Sequence, residues 1–243
     1  MNSFSSIISS LKSASVTSPV AFTGYKFNVA DVSSNTAYVY NFGTQTWDGN
    51  FKNSSISTSI VKYGTGSIAF NNTQGYTNTG SSYLRIPAIL QSNVSNGLSI
   101  TLWVYANNSN TQPYIFDFAI NATSGSNNML LHYANNDIIF YPNITLSGTF
   151  IRVTSAITYN QWQFITITIN TSSLITIYVN AVSKYSQTFT INPLASSGFP
   201  KNNCIVGTTF YGNVGLVGNV DNLYMYNKVL TQTEINSIYN GNV

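Results

Sequence analysis

The feature that most constrains this chain is strict alternation. Leu98, Ile100, Leu102 and Val104 are interleaved with Ser99, Thr101, Trp103 and Tyr105. Successive side chains of a strand point to opposite faces, so this pattern lays four aliphatic groups on one side of a sheet. The same period returns in Ile165, Ile167 and Ile169, and again in Ile175, Ile177 and Val179. Asn170-Thr-Ser-Ser173 lies between those two runs as a short polar turn, so they are expected to pair as a hairpin. Further strands are expected over 38–42, 67–70, 83–86, 114–120, 128–133, 138–141, 150–155, 188–191, 204–208 and 215–226. Asn135-Asn136-Asp137 reads as a hairpin tip, because Asn and Asp tolerate positive φ. Many short strands separated by polar turns point to an all-β sandwich or barrel. No composition break and no internal repeat divides the chain, so one domain is expected.

Composition removes several function classes. Only 6% of the 243 residues are charged, against about 25% in an ordinary soluble domain. Ser, Thr and Asn take their place, at 32, 27 and 33 residues. Aromatics reach 14%, which is the opposite of a disordered chain. The cations number nine, and only Arg85 and Arg152 are arginines, so no basic cluster could neutralise a row of phosphates. Nucleic acid is therefore not an expected partner. Insertion into a bilayer is not expected either, since no apolar run approaches about 18 residues. Cys204 is the lone cysteine and can form no intramolecular disulfide. Residues 1–20 are Ser-rich, with Ile7, Ile8 and Leu11 near helical spacing, and read as a flexible arm ahead of a 21–243 sandwich. The same stretch lacks a basic start and an apolar core, and so makes a poor signal peptide.

One helix interrupts the β pattern. Thr231-Gln-Thr-Glu234 is a capping box, in which each end residue can satisfy an N–H of the other. Ile235, Ile238 and Tyr239 follow at helical spacing, and Gly241 is placed to stop the helix. The single Glu of the chain is thereby assigned to a cap.

Several segments, in order, resemble the laminin G-like branch of the concanavalin A-like lectin/glucanase superfamily. They are Tyr25-Lys-Phe27, Tyr63-Gly-Thr-Gly-Ser-Ile-Ala-Phe70, Tyr83-Leu-Arg-Ile-Pro87 and Leu98-Ser-Ile-Thr-Leu-Trp-Val104. Trp162-Gln-Phe-Ile and Ile175-Thr-Ile-Tyr-Val-Asn180 follow. The strongest piece runs from Gly218-Asn-Val-Asp221 through Ile235 to Tyr239-Asn-Gly241. The resemblance implies a two-sheet antiparallel jelly roll with a short C-terminal helix. The sequence departs from the family at Asn180-Ala181, where Asn-Gly is usual, and lacks the disulfide of secreted relatives. It also lacks the Glu-x-Asp-x-Glu strand of the glucanases. Retaining hydrolysis needs two carboxyls about 5–5.5 Å apart, and nothing in the sequence marks such a pair.

The residues leave room for binding chemistry. A Ser-His-Asp triad would have to use His132, oriented by Asp117 or Asp137, but no G-x-S-x-G elbow is present. His132 is read instead as a structural or ligand-contact residue. One Cys and one His cannot build a zinc site. Calcium takes oxygen ligands and is common at the rim of laminin G-like relatives. Asp117, Asn135 and Asp137, with Asn136, are its candidates here, although no cofactor is required. Asp221, in the Gly-x-Val-Asp segment, is expected to bond backbone. Sugars stack on aromatic rings while neutral amides and hydroxyls read their OH groups. Tyr133, Tyr141, Phe210 and Tyr211 are the candidate platforms, with His132 beside them. These features imply a non-catalytic, lectin-like module that binds glycan or a partner surface, placed at a cell or virion surface. The alternative is a structural component of a viral particle, such as a capsid-associated or surface protein of a large DNA virus of protists. There the sandwich would pack against copies of itself or other structural proteins. A glycoside hydrolase is the third reading.

Overall fold

The computed structural model describes residues 18–32, 38–39, 41–44, 48–72, 81–107, 112–122, 127–143, 149–190, 192–210 and 215–242. Residues 1–17 of the expected arm, with Ile7, Ile8 and Leu11, lie outside the described residues, as does Tyr211.

Sixteen strands are present among the described residues. In chain order they are β1 (Thr23–Tyr25), β2 (Tyr38–Val39), β3 (Gly49–Lys52), β4 (Ser55–Ser57), β5 (Ser67–Asn71), β6 (Tyr83–Ile86), β7 (Leu98–Ala106) and β8 (Tyr114–Ala119). They continue with β9 (Met129–Ala134), β10 (Asp137–Tyr141), β11 (Ile151–Val153), β12 (Trp162–Ile169), β13 (Leu174–Val179), β14 (Val182–Thr188), β15 (Asn203–Val206) and β16 (Val217–Tyr226). A single α-helix, α1 (Gln232–Tyr239), follows. One sheet runs β14-β13-β12-β7-β16-β5-β4, with β1 also paired to β16. The other runs β11-β10-β9-β8-β15-β6-β3-β2. Every strand pair is antiparallel. The architecture is the expected jelly-roll β-sandwich.

The alternation read from the sequence fills the space between the sheets. Leu98, Ile100, Leu102 and Val104 of β7 face the same core as Ile165, Ile167 and Ile169 of β12 and Ile175, Ile177 and Val179 of β13. Phe116, Phe118, Met129, Leu131, Ile138 and Phe140 meet them from the second sheet. The β12–β13 hairpin forms as expected, and the Asn170 side chain ties its turn by accepting from the N–H groups of Ser172 and Leu174. At the β13–β14 turn Asn180 and Ala181 both take positive φ, 51° and 63°, so Ala181 adopts the conformation usually left to glycine.

The odd residues of β7 point the other way. Trp103 gathers Phe164, Tyr224, Tyr226 and Leu230 into a second cluster, which Ile235 and Ile238 of α1 close. The capping box is present: Thr231 Oγ1 accepts from the Glu234 N–H, and Glu234 accepts from the Thr231 N–H. Gly241, at φ 85°, follows the helix as expected.

Two expectations shift. The strand expected at 188–191 is β14 and ends at Thr188; its seven residues are mostly exposed, so no apolar alternation announces it. β1, β3 and β4 are short strands that the alternation did not mark. No helix among the described residues is long and apolar enough to cross a membrane.

Candidate functional site

The first sheet carries α1 on its outer face, so the outer face of the second sheet is the natural place to look for a surface. Alternation along β9 sends Met129, Leu131 and Tyr133 into the core and His132 outward. Register then sets a rung across four strands: Tyr114 and Ile139 flank His132, and Arg152 lies beyond Ile139. An aromatic row crosses this rung. Tyr114 stacks on His132 with ring centroids 4.8 Å apart, and His132 stacks on Tyr141 at 5.8 Å. Tyr141 in turn meets Phe150 at 5.5 Å with the rings tilted by 40°.

Access changes along the row. Tyr114 and His132 are buried, His132 to 3% exposure, whereas Tyr141 is half-buried and Phe150 is 42% exposed. Burial, helped by the nearby Arg152 charge, pushes the His132 pKa down to about 4, so the ring is neutral at pH 7. Its Nδ1 is buried with no hydrogen-bond partner. His132 therefore acts as a flat, uncharged backing for Tyr141. Toward the other end of β10, Arg152 Nη1 lies 3.3 Å from Asp137 Oδ2, and Asp137 Oδ1 accepts from the Ser155 N–H. The result is a two-ring shelf of Tyr141 and Phe150 backed by His132. Such a shelf can stack on the apolar face of a sugar.

The residues singled out from the sequence separate into distinct places. Tyr141 belongs to the shelf, and His132 lies behind it. Tyr133 does not join them: as the next residue on β9 it faces the core, and its hydroxyl reaches the Asn107 carbonyl at 3.3 Å. Adjacent strand residues cannot share a face, so Tyr133 offers no ring to a ligand. Phe210 is half-buried and donates its N–H to Asp117. Asp117 is fully buried and its oxygens are engaged, one by Asn128 Nδ2 and the other by Thr209 Oγ1 and the Phe210 N–H. Desolvation raises its pKa to about 6, although those three donors pull it down. Asn135 forms the β9–β10 hairpin tip at φ 53°, and its carbonyl accepts from the Tyr159 hydroxyl.

The calcium candidates are not brought around one point. Asp117 pairs with Leu130 and Asp137 with Ala134, four residues apart on β9, which is about 13 Å of strand. No group of three His, Cys, Asp or Glu side chains able to hold a metal occurs among the described residues. Asp221 bonds backbone as expected, accepting from the N–H groups of Lys62, Tyr63 and Asn222. Tyr114 and Phe150 are not legible as partners in the sequence, because only the fold brings them to His132 and Tyr141.

Comparison with known proteins matches this architecture. A laminin G-type family model, described as the Concanavalin A-like lectin/glucanases superfamily, matches residues 78–236. No curated protein matches the chain by sequence. Among solved structures, the binding domain of botulinum neurotoxin serotype D is 16% identical with a TM-score of 0.62, covering 91% of this chain and 50% of that one. Botulinum neurotoxin type C, which depends on interaction with two ganglioside molecules to get into cells, is 13% identical with a TM-score of 0.64, covering 92% and 51%. Domain 4 of the extracellular arabinanase AbnA of Geobacillus stearothermophilus, solved with arabinotriose, is 16% identical with a TM-score of 0.60, covering 92% of this chain and all of that domain. The chain thus spans about half the length of the toxin structures and the whole of the arabinanase domain. At these identities the likeness is one of fold. The family match extends over more than half of the sequence, and the chain belongs to the Concanavalin A-like lectin/glucanases superfamily.

Proposed function

We propose that this chain is a non-catalytic, lectin-like recognition module that binds glycan on the shelf formed by Tyr141 and Phe150. The observation that carries the reading is the aromatic row, in which a buried neutral imidazole backs a half-exposed tyrosine next to an exposed phenylalanine. Rings held in place before binding lose little freedom when a sugar stacks on them. The arabinotriose of the arabinanase domain and the gangliosides of the type C toxin support glycan as the ligand class. Non-catalytic action is supported by the fate of the only Glu: Glu234 is held by Lys228 and Thr231 at the helix cap.

The test is a glycan-array screen of the purified protein, run with calcium and then with EDTA. Specific binding that persists in EDTA and falls about tenfold or more in Tyr141→Ala and Phe150→Ala supports the shelf. Folded protein that binds no glycan overturns the reading. Self-association of such a protein would favour the particle-assembly alternative.

A further inference from the structure

The helix does not close the whole outer face of its sheet. α1 packs over Trp103, Phe164, Tyr224 and Tyr226. Two residues further along β7 and two back along β12, strand parity brings Tyr105 and Trp162 to that same face, and register sets them opposite one another. Their ring centroids are 5.5 Å apart, with the planes inclined at 63°. Both side chains are half-buried, whereas Trp103 is buried. Trp162 packs against the edge of the helix-covered cluster, which anchors the pair.

The polar tips of this pair are unspent. Elsewhere the hydroxyls of Tyr63, Tyr133, Tyr159 and Tyr185 are taken by the Tyr239, Asn107 and Asn135 carbonyls and by Gln187. No described residue bonds the Tyr105 hydroxyl or the Trp162 indole N–H, and both atoms reach solvent. Rings with an apolar body and a wet tip are the kind that line recognition surfaces.

The surroundings are neutral. The rung that carries the pair runs Ser55, Ala69, Asn219, Tyr105 and Trp162 across five strands. Beside it, away from the helix, Asn71 pairs with Val217. Asn219 Nδ2 donates to Ser67 Oγ at 2.9 Å, which fixes the orientation of that amide. The nearest charges lie toward the helix and are engaged there. Asp221 accepts from three backbone N–H groups, and the Lys62 ammonium lies 4.0 Å from the Trp103 ring centroid. A charged group brought against Tyr105 and Trp162 would lose hydration with no opposite charge to replace it, so an uncharged ligand is favoured.

Size decides between a sugar and a protein. An aromatic side chain buries about 150–250 Å² when fully covered. Two half-exposed rings therefore offer far less than the ~800 Å² that each partner of a stable protein complex buries. They suit one sugar ring: its C–H face stacks on one aromatic face, the inclined second ring borders its edge, and its hydroxyls meet the polar tips and Asn219.

We infer that Tyr105 and Trp162 form a second carbohydrate site, which takes one neutral hexopyranose residue. The shelf lies on the outer face of the other sheet, and this inference stands whether or not the shelf binds glycan.

The test is a heteronuclear NMR titration of the full chain with methyl β-D-galactoside, methyl β-D-glucoside and, as a charged control, D-glucuronate, following the indole N–H signals. Loss of one signal in Trp162→Phe assigns it to Trp162. The shelf contains no tryptophan, so this signal reports on the pair alone. At least one neutral glycoside is expected to shift it saturably at millimolar concentration, with glucuronate about tenfold weaker or more. Tyr105→Leu keeps an apolar side chain in the strand and removes the ring; it should weaken the glycoside about tenfold. Tyr141→Ala should leave the shift unchanged, which separates this site from the shelf. No saturable shift with either glycoside overturns the inference. So does glucuronate that binds as tightly as the glycosides, wild-type affinity in Tyr105→Leu, or loss of the shift in Tyr141→Ala.

Discussion

The two outer faces of the sandwich both carry aromatic rows, and they are finished differently. On the helix-covered sheet Trp103 is 2% exposed, stacks on Tyr239 at 5.3 Å, meets the tilted Phe164 ring at 5.2 Å, and holds the Lys62 ammonium 4.0 Å from its ring centroid. On the other sheet the row begins just as buried, at Tyr114 and His132, but ends in the exposed Phe150. The comparison separates a closed aromatic row from an open one. A row capped by a helix stabilises; a row that emerges at one end is available to bind. Substitutions on the two faces should therefore separate stability from recognition.

The largest effect is expected from Trp103→Ala. Emptying a site this buried costs about 3–5 kcal/mol and removes the ring on which α1 rests. Urea unfolding should show that loss. A variant within about 1 kcal/mol of the wild type would break the claim that this face is structural.

Next comes pH, where the faces should differ in sign. The folded pKa of His132 is held at about 4, below the unfolded value near 6.5. The unfolded chain therefore takes up the proton first, and the contribution is complete above pH 6.5 and lost as pH falls toward 4. Relative to His132→Phe, the wild type should lose about 3 kcal/mol over that window. Asp221 behaves oppositely: burial raises its pKa to about 7, so the folded state binds the proton first. Relative to Asp221→Asn, the wild type should gain stability as pH falls from 7 to 4. Asp117, also raised, is common to all three proteins and cancels in both comparisons. Thermal unfolding across pH 4–7 reads both slopes, and parallel slopes for the two pairs would contradict the assignment.

These differences also mark what the sequence makes legible. β7 and the β12–β13 hairpin announce themselves because one face is entirely aliphatic, and α1 because its cap is written in Thr231 and Glu234. β14 does not, because an exposed edge strand has no core face to alternate with. The shelf is half legible. Tyr141 and His132 stand out as residue types, but Tyr133, next to His132 on β9, faces the core by the parity of a strand. Tyr114 joins them only through a pairing between strands, and Phe150 only through its contact with Tyr141. Asn222, at φ 46°, sits in a bulge of β16, a local irregularity that no periodic pattern records.

A smaller effect should come from the helix cap. Thr231 Oγ1 accepts from the Glu234 N–H, and Thr231→Ala leaves that donor to water at a cost of about 1 kcal/mol. The loss should appear in chemical denaturation without altering ligand binding on the opposite sheet. Weakened glycan binding in this variant would mean that the two faces communicate.

The smallest expected change in stability is the most informative for function. Phe150 is 42% exposed and touches the row only through Tyr141, so Phe150→Ala should shift stability by no more than about 0.5 kcal/mol. A large exposed ring that contributes so little to the fold needs another reason to be held at a fixed distance from its neighbour. If Phe150→Ala unfolds at the wild-type denaturant concentration and loses glycan binding, the ring serves recognition, and the contrast with Trp103 is complete. If instead it destabilises the protein by about 2 kcal/mol or more, the row is structural along its whole length. The two faces would then be variations on one theme, and recognition would have to be sought away from the shelf.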